Sequence, residues 1–134
     1  MNITADTNVL VRALVGDDPT QAAEASRVMR DASTIAIPLP VLCELVWVLK
    51  RVYGFAVADI AAAIRSLLVA GNVQLDRQAA EADLAMLEAG GDFADGVIAH
   101  QGQWLGGDVF VSFDRKAVAL LRGQGVGTLL LDAA

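Results

Sequence analysis

The sequence predicts an α/β fold with three layers, in which helices cover both faces of a mostly parallel central sheet of about five short strands. Short apolar or β-branched runs alternate with segments of helical periodicity along the chain. Residues that start and stop helices, chiefly Asp, Pro and Gly, separate these segments. The 134 residues, 55% of them hydrophobic, suit one core, so we expect a single domain over residues 1–134.

In the first half of the chain, capping residues mark most boundaries. Asp6 ends the first apolar run, and Asp18 followed by Pro19 supplies an N-cap and a first helical residue. Gly54 and Gly71 follow the ends of two helices. The predicted elements are a strand over 1–5, helices over 8–14 and 19–31, a strand over 34–37, a helix that begins at 40 and is closed by Gly54, a helix over 57–70, and a weak strand over 73–75.

The second half continues the alternation of helix and strand. Asp76 can cap a helix that runs towards Glu88, and Asp92 can cap the next one. Gly90 and Gly91 break the chain between them, and we expect a loop there that admits or positions a substrate. The remaining elements are a strand over 109–113, a helix over 115–122 and a strand over 128–131.

Composition excludes several classes of protein. No apolar stretch is long enough to span a bilayer, and the first seven residues show no secretory signal. The lone Cys43 has no internal disulfide partner, which suits a reducing compartment, so we expect a cytoplasmic protein. Ten basic against 16 acidic residues give a net charge of −6, which disfavours nonspecific binding to polyanions unless divalent cations reverse the local field.

Four acidic residues map to the edge of the sheet where the strands end. Asp6 and Asp114 follow strands, while Glu44 and Asp95 lie in the first turns of helices. Ligands bind beyond the carboxyl ends of strands in open α/β sheets, so these four could share one site. Converging carboxylates stay ionised together when a cation compensates them, and hard oxygen ligands favour Mg²⁺ or Mn²⁺. One histidine and one cysteine supply a closed zinc site poorly.

Each acid also has a simpler interpretation. Asp92, Asp95 and Asp114 can be helix caps or first-turn acids that complement the helix dipole. Glu44 is different, because apolar residues surround it in the sequence and a buried, unpaired carboxylate is costly. Asp6 lies in a similar apolar setting. The four together favour a shared metal site over independent caps.

The pattern of these residues resembles the PIN-domain family, specifically the VapC-like toxins of bacterial toxin–antitoxin pairs. The likeness spans the whole chain in order. It is carried by Ala5-Asp6-Thr7-Asn8 after the first strand, Glu44 in an apolar helix, Asp92-Phe93-Ala94-Asp95 at a helix start, and Ser112-Phe113-Asp114-Arg115 after a later strand.

The resemblance implies a small α/β/α fold and a Mg²⁺- or Mn²⁺-dependent endoribonuclease that hydrolyses RNA, is inhibited by a cognate antitoxin and forms a homodimer. Asp6, Glu44, Asp95 and Asp114 match the family's acidic quartet and would be the catalytic metal ligands. The resemblance gives supporting roles beside those ligands to Thr7, Asn8, Asp92 and Ser112. Gly96 stands where the family commonly has Ala, a departure that removes no ligand.

Basic and aromatic residues add weaker candidates. Arg12, Arg115 and Lys116 could contact phosphate, although most basic residues of an acidic chain are solvated helix faces. Trp47 and Trp104 could stack on bases, but their helical spacing among apolar residues predicts core or interface positions, of which core is favoured.

Two other functions remain open at this point. A catalytically silent PIN fold could act as a binding module. A receiver-like phosphorylation switch also places acids at strand ends, but it needs a lysine after a late strand, and Asp132 follows the last strand here. A ribonuclease H-like fold fits poorly, because a helix rather than an antiparallel strand follows Asp6. His100, the single histidine, is expected to be a structural or surface residue.

Overall fold

A computed structural model describes residues 1–132 of the chain. The chain divides into two compact units, of which the first covers Met1–Arg77 and the second begins at Gln78. The prediction of a single domain over 1–134 extends past the described residues at its last two positions and stays a prediction. Each unit is an α/β arrangement with its own short parallel strands.

The first unit alternates strands with helices, as the sequence predicts. Its elements are β1 (Asn2–Thr4), α1 (Thr7–Val15), α2 (Pro19–Asp31), β2 (Thr34–Ala36), α3 (Leu39–Arg51), α4 (Val57–Val69) and β3 (Val73–Gln74). The strands form a parallel sheet in the order β1-β2-β3, with Ile3 opposite Ile35 and Ile35 opposite Val73. The carboxyl ends of β1 and β2 therefore point the same way, and α1 and α3 follow them.

Helix ends in this unit follow from local chemistry. The Asp18 carboxylate accepts a hydrogen bond from the Gln21 amide, and Pro19 occupies the first turn of α2. Gly16 ends α1 in the left-handed conformation, with φ of 71°, which glycine adopts without a steric penalty. The buried faces of α3 and α4 are aliphatic and include Leu42, Leu45 and Ile64.

The second unit contains α5 (Arg77–Glu88, whose first residue belongs to the first unit), α6 (Phe93–Trp104), β4 (Val109–Ser112), α7 (Arg115–Gly123) and β5 (Gly127–Leu130). The two strands pair in parallel, with Val109 opposite Gly127 and Ser112 opposite Leu130. Met86, Ala99 and Leu121 form a buried cluster against which partly buried residues of β4, α7 and the loop before β5 pack. This cluster joins α5, α6 and α7.

The Gly90-Gly91 segment is a packed turn. The Gly91 amide donates to the carbonyl of Met86 over 2.9 Å and the Gly90 amide to that of Leu87 over 3.0 Å, the pattern of a Schellman motif. A Cβ on Gly91 would lie 2.7 Å from Cδ1 of Leu120. The expected substrate loop is therefore a close-packed end of α5.

The predicted α/β class, the helices and the five short parallel strands are confirmed, with the strands hydrogen-bonded as a group of three and a group of two. The prediction that both tryptophans are core residues is wrong. Trp47 is 60% exposed and Trp104 is 82% exposed. Within residues 1–132, no helix is both long and apolar enough to cross a membrane.

Candidate functional site

Thr7 connects two of the predicted ligands in the first unit. Its backbone amide donates a hydrogen bond of 2.8 Å to the carboxylate of Asp6, the N-cap of α1. Its hydroxyl donates to Oε2 of Glu44 over 3.2 Å, from α1 to α3. Thr7 is only 6% exposed, so its side chain is a fixed donor. The structure therefore links Asp6 and Glu44 through one residue, and the predicted supporting role of Thr7 has a geometric basis.

Glu44 lies in a different environment from the one that its apolar neighbours in the sequence suggest. Leu42, Leu45 and Val46 are buried, but Glu44 is exposed. The reason is helical phase, because about 100° separates successive residues and turns Glu44 to the same side as the exposed Trp47. Glu44 therefore pays no large desolvation cost, and its carboxylate is accessible.

In the second unit, two predicted residues cap helices. The Asp92 carboxylate accepts from the Ala94 amide over 2.9 Å at the start of α6. The Asp114 carboxylate accepts from the Ala117 amide over 3.0 Å at the start of α7. Ser112 supports this second cap, because its hydroxyl oxygen accepts a 3.0 Å hydrogen bond from the Asp114 amide. The capping interpretation holds for Asp92 and Asp114, and both carboxylates remain exposed.

Asp95 is half-buried in the first turn of α6. Its pKa is raised above the ordinary value, first because burial disfavours the charged form and then because the negative charges of Asp92 and Asp114 oppose it. The charges of Asp92 and Asp114 therefore both act on the Asp95 carboxylate. A cation bound beside Asp95 would offset this repulsion.

The remaining candidates differ in how they are held. Arg12 contacts Oδ1 of Asp17 over 3.2 Å, and the Tyr53 hydroxyl donates to Oδ2 of the same carboxylate over 3.0 Å. The pKa of Asp17 is lowered, mainly by the Tyr53 hydrogen bond and further by the charge of Arg12. Arg12 thus takes part in a link between the end of α1 and the turn after α3.

The other polar candidates are exposed. Arg115 and Lys116 lie in the first turn of α7, and Asn8 lies in α1.

Sequence reasoning missed a buried acid in the second unit. Asp83 of α5 is fully buried, and its Oδ1 lies 2.9 Å from Nδ1 of His100 in α6. Helical spacing could have revealed it, because Asp83 falls on the same face as the buried Ala79, Ala80, Met86 and Leu87. The expectation that His100 is structural is consistent with this contact.

The donor set suits a divalent cation of the magnesium type. The predicted ligands offer only carboxylate oxygens, which Mg²⁺ and Mn²⁺ prefer. The like-charged surroundings of Asp95 would be relieved by such an ion. Taken separately, neither unit groups three or more Asp, Glu, His or Cys side chains of residues 1–132 in a geometry that could hold a metal.

A comparison with protein-family models matches residues 3–121 to the PIN domain. Comparisons with curated proteins and with solved structures gave no match. PIN domains are generally nucleases that use divalent metal ions. The match covers both acid groups described above and most of the chain, so this chain belongs to the PIN domain family.

Proposed function

We propose that this protein is a Mg²⁺- or Mn²⁺-dependent endoribonuclease that hydrolyses RNA phosphodiester bonds in the cytoplasm. The observation that carries the proposal is the match of residues 3–121 to the PIN domain, because PIN domains are generally nucleases that use divalent metal ions. The raised pKa of Asp95 beside Asp92 and Asp114 agrees with the proposal, because a bound cation would offset that repulsion. The ligands in this proposal are Asp6, Glu44, Asp95 and Asp114.

Hydrogen bonds hold three of the four proposed ligands in place. Asp6 and Glu44 are held by the amide and the hydroxyl of Thr7, which fixes their acceptor directions before any ligand arrives. Asp114 is held by the Ala117 amide and supported by Ser112. When bound, the ion would supply an activated water and stabilise charge on the leaving oxygen. Asn8 and Asp92 have supporting roles in this proposal.

The RNA backbone needs cationic partners on an acidic protein. Arg115 and Lys116 are suitable, because both are exposed in the first turn of α7, directly after Asp114. Helix N-termini also favour phosphate through their free amides. Arg12 is the weaker candidate because Asp17 already holds its guanidinium.

The biological role in this proposal is that of a toxin held inactive by a cognate antitoxin, with the toxin itself a homodimer. The proposal rests on the resemblance of the four acidic motifs to VapC-like toxins. Induced expression should then arrest bacterial growth, and co-expression of the antitoxin should restore it. A monomeric mass in light scattering at micromolar concentration would contradict the homodimer.

The decisive experiment is cleavage of a panel of structured RNAs with Mg²⁺, Mn²⁺ or EDTA. Wild type is compared with Asp6→Asn and Asp95→Asn. Asp59→Asn is the matched control, because Asp59 lies in the first turn of α4 as Asp95 lies in the first turn of α6, but it is exposed and has no place in the proposed site. We expect metal-dependent cleavage that falls by about 100-fold or more in Asp6→Asn and Asp95→Asn, and is unchanged in Asp59→Asn.

Other outcomes separate the alternatives. Cleavage that persists in both ligand variants would place the activity elsewhere or in a contaminant. Metal binding without cleavage of any RNA would favour the silent binding module.

A further inference from the structure

The buried Asp83 has no part in the proposed chemistry, yet it occupies a position that aliphatic residues usually fill. It lies on the inner face of α5 with Met86 and Leu87, both fully or almost fully buried. Removing a carboxylate from water costs several kcal/mol unless it is paired and hydrogen-bonded. The contact of 2.9 Å with Nδ1 of His100 meets part of that requirement.

Asp83 also touches the backbone of α6 at a second point. A Cβ built on Gly96 would lie 2.5 Å from Oδ1 of Asp83 and 3.2 Å from its Cγ. No real Cβ tolerates a contact of 2.5 Å, so the carboxylate fills the space that any side chain at 96 would need. Gly96 directly follows Asp95 in the first turns of α6.

One oxygen of Asp83 therefore meets α6 at both Gly96 and His100, which are four residues apart on the same face of the helix. Two contacts one turn apart fix both the rotation of a helix about its axis and its position along that axis. Asp95 lies next to the first contact, so its direction depends on that setting.

We propose that Asp83 is a positioning residue that sets the rotation of α6 through Gly96 and His100, and thereby aims the Asp95 carboxylate. Gly96 is required because it admits the Asp83 carboxylate against the helix backbone. The effect on metal binding rests on the proposed function, since it takes Asp95 as a ligand. The contact between Asp83 and Gly96 can be tested without that assumption.

A double-mutant cycle on stability tests the contact. With Asp83 present, Gly96→Ala should lower the melting temperature by roughly 5–10 °C, because the added methyl group displaces the carboxylate. In an Asp83→Ala background, the same Gly96→Ala change should be neutral or should raise the melting temperature, because alanine favours helix over glycine. An equal loss in both backgrounds would overturn the contact.

Binding of Mn²⁺ alone, measured by electron paramagnetic resonance, tests the positioning role. Asp83→Ala should weaken Mn²⁺ binding by about tenfold or more at a temperature where circular dichroism shows a folded protein. Asp83→Asn retains the shape and an acceptor oxygen, so its affinity should stay within about threefold of wild type. Glu81→Ala is the control, because Glu81 is an exposed acid on the same helix and should leave binding unchanged.

The outcomes separate this inference from the proposed function. Wild-type Mn²⁺ binding that Asp83→Ala leaves intact overturns the positioning role and leaves the nuclease proposal standing. A wild type that binds no Mn²⁺ overturns both, and the stability cycle then decides the contact alone. If Asp83→Ala does not fold, His100→Ala removes the partly exposed partner instead, and unchanged Mn²⁺ affinity in that variant overturns the role.

Discussion

Both units contain exposed acids that accept hydrogen bonds, but in the second a half-buried acid, Asp95, lies beside two of them. In the first unit, Asp6 and Glu44 are exposed and each accepts a hydrogen bond from Thr7. In the second unit, Asp95 is half-buried, and Asp92 and Asp114 oppose its charge. Asp6 and Glu44 are each stabilised by a hydrogen bond, whereas Asp95 is destabilised by burial and by the charges of Asp92 and Asp114. The comparison teaches that hydrogen bonds can place a ligand at little cost, while clustered charges create a preference for a cation.

The largest expected effect on stability comes from loosening the first turn of α6, which carries Asp95. Phe93 lies between Asp92 and Asp95 in α6 and is 1% exposed. Phe93→Ala should lower the free energy of unfolding by about 3–5 kcal/mol, as measured by urea denaturation. It should also bring the pKa of Asp95 back towards its ordinary value, which carboxyl NMR titration would report. An Asp95 pKa that remains raised in Phe93→Ala would show that Phe93 does not hold Asp95 in its half-buried position beside Asp92 and Asp114. Phe93→Leu, which keeps most of the apolar volume, is the control.

The proposed roles of Glu44 and Asp95 as metal ligands can be tested by the stability that a bound ion adds. An ion at about 100 times its Kd should stabilise the wild type by about 2.7 kcal/mol, and EDTA should remove that gain. Glu44→Gln and Asp95→Asn should each lose most of it, while Asp59→Asn keeps it. Thermal denaturation with and without Mn²⁺ measures all four proteins. Full stabilisation in Glu44→Gln would remove Glu44 from the proposed ligands.

A smaller effect is expected for the hydroxyl that holds Glu44. Thr7→Val removes the hydrogen bond but keeps the volume, and should cost about 0.5–1.5 kcal/mol in chemical denaturation. Thr7→Ser retains the hydroxyl and should recover most of the loss. If the serine variant is as unstable as the valine variant, packing of the methyl group rather than the hydrogen bond is what matters.

The smallest expected effect is a pH-dependent change in stability, which should occur for Asp95→Asn and not for Asp6→Asn. The raised pKa of Asp95 means that the folded state holds its proton more tightly than the unfolded chain, so this group lowers stability as pH rises above its ordinary value of 3.8. Asp95→Asn should therefore raise metal-free stability at pH 7 by at most a few tenths of a kcal/mol after solvent screening, and by nothing near pH 3.

Asp6→Asn is the matched comparison for that measurement. Asparagine caps a helix about as well as aspartate, so metal-free stability should stay the same at both pH values. A rise equal to that of Asp95→Asn would mean that the two units do not differ in this respect.

Local signals predicted most of the secondary structure. Asp18, Asp92 and Asp114 each cap the helix that the sequence assigns to them, because capping acts over two or three residues. The exposure of Trp47 and Trp104 was predicted wrongly, because periodicity identifies a helix face but not what covers it.

The candidate site was harder to predict than the helices. The order of the motifs identified the acids, but the hydrogen bond from Thr7 to Glu44 spans 37 positions and no local pattern encodes it. The contact of Asp83 with His100 spans 17 positions and was missed for the same reason. Only the spacing of Asp83 among buried residues of α5 gave a signal.

The close approach of Asp83 to Gly96 also constrains the order in which this sequence can change. Alanine at 96 should be destabilising while the carboxylate at 83 is present, and should be neutral or favourable once that carboxylate is gone. A lineage moving between the two states must therefore change position 83 first, or pass through a less stable intermediate. A gain in stability from Gly96→Ala in the Asp83→Ala background would make the pair a case of sign epistasis, in which the same substitution is harmful or beneficial depending on one other residue.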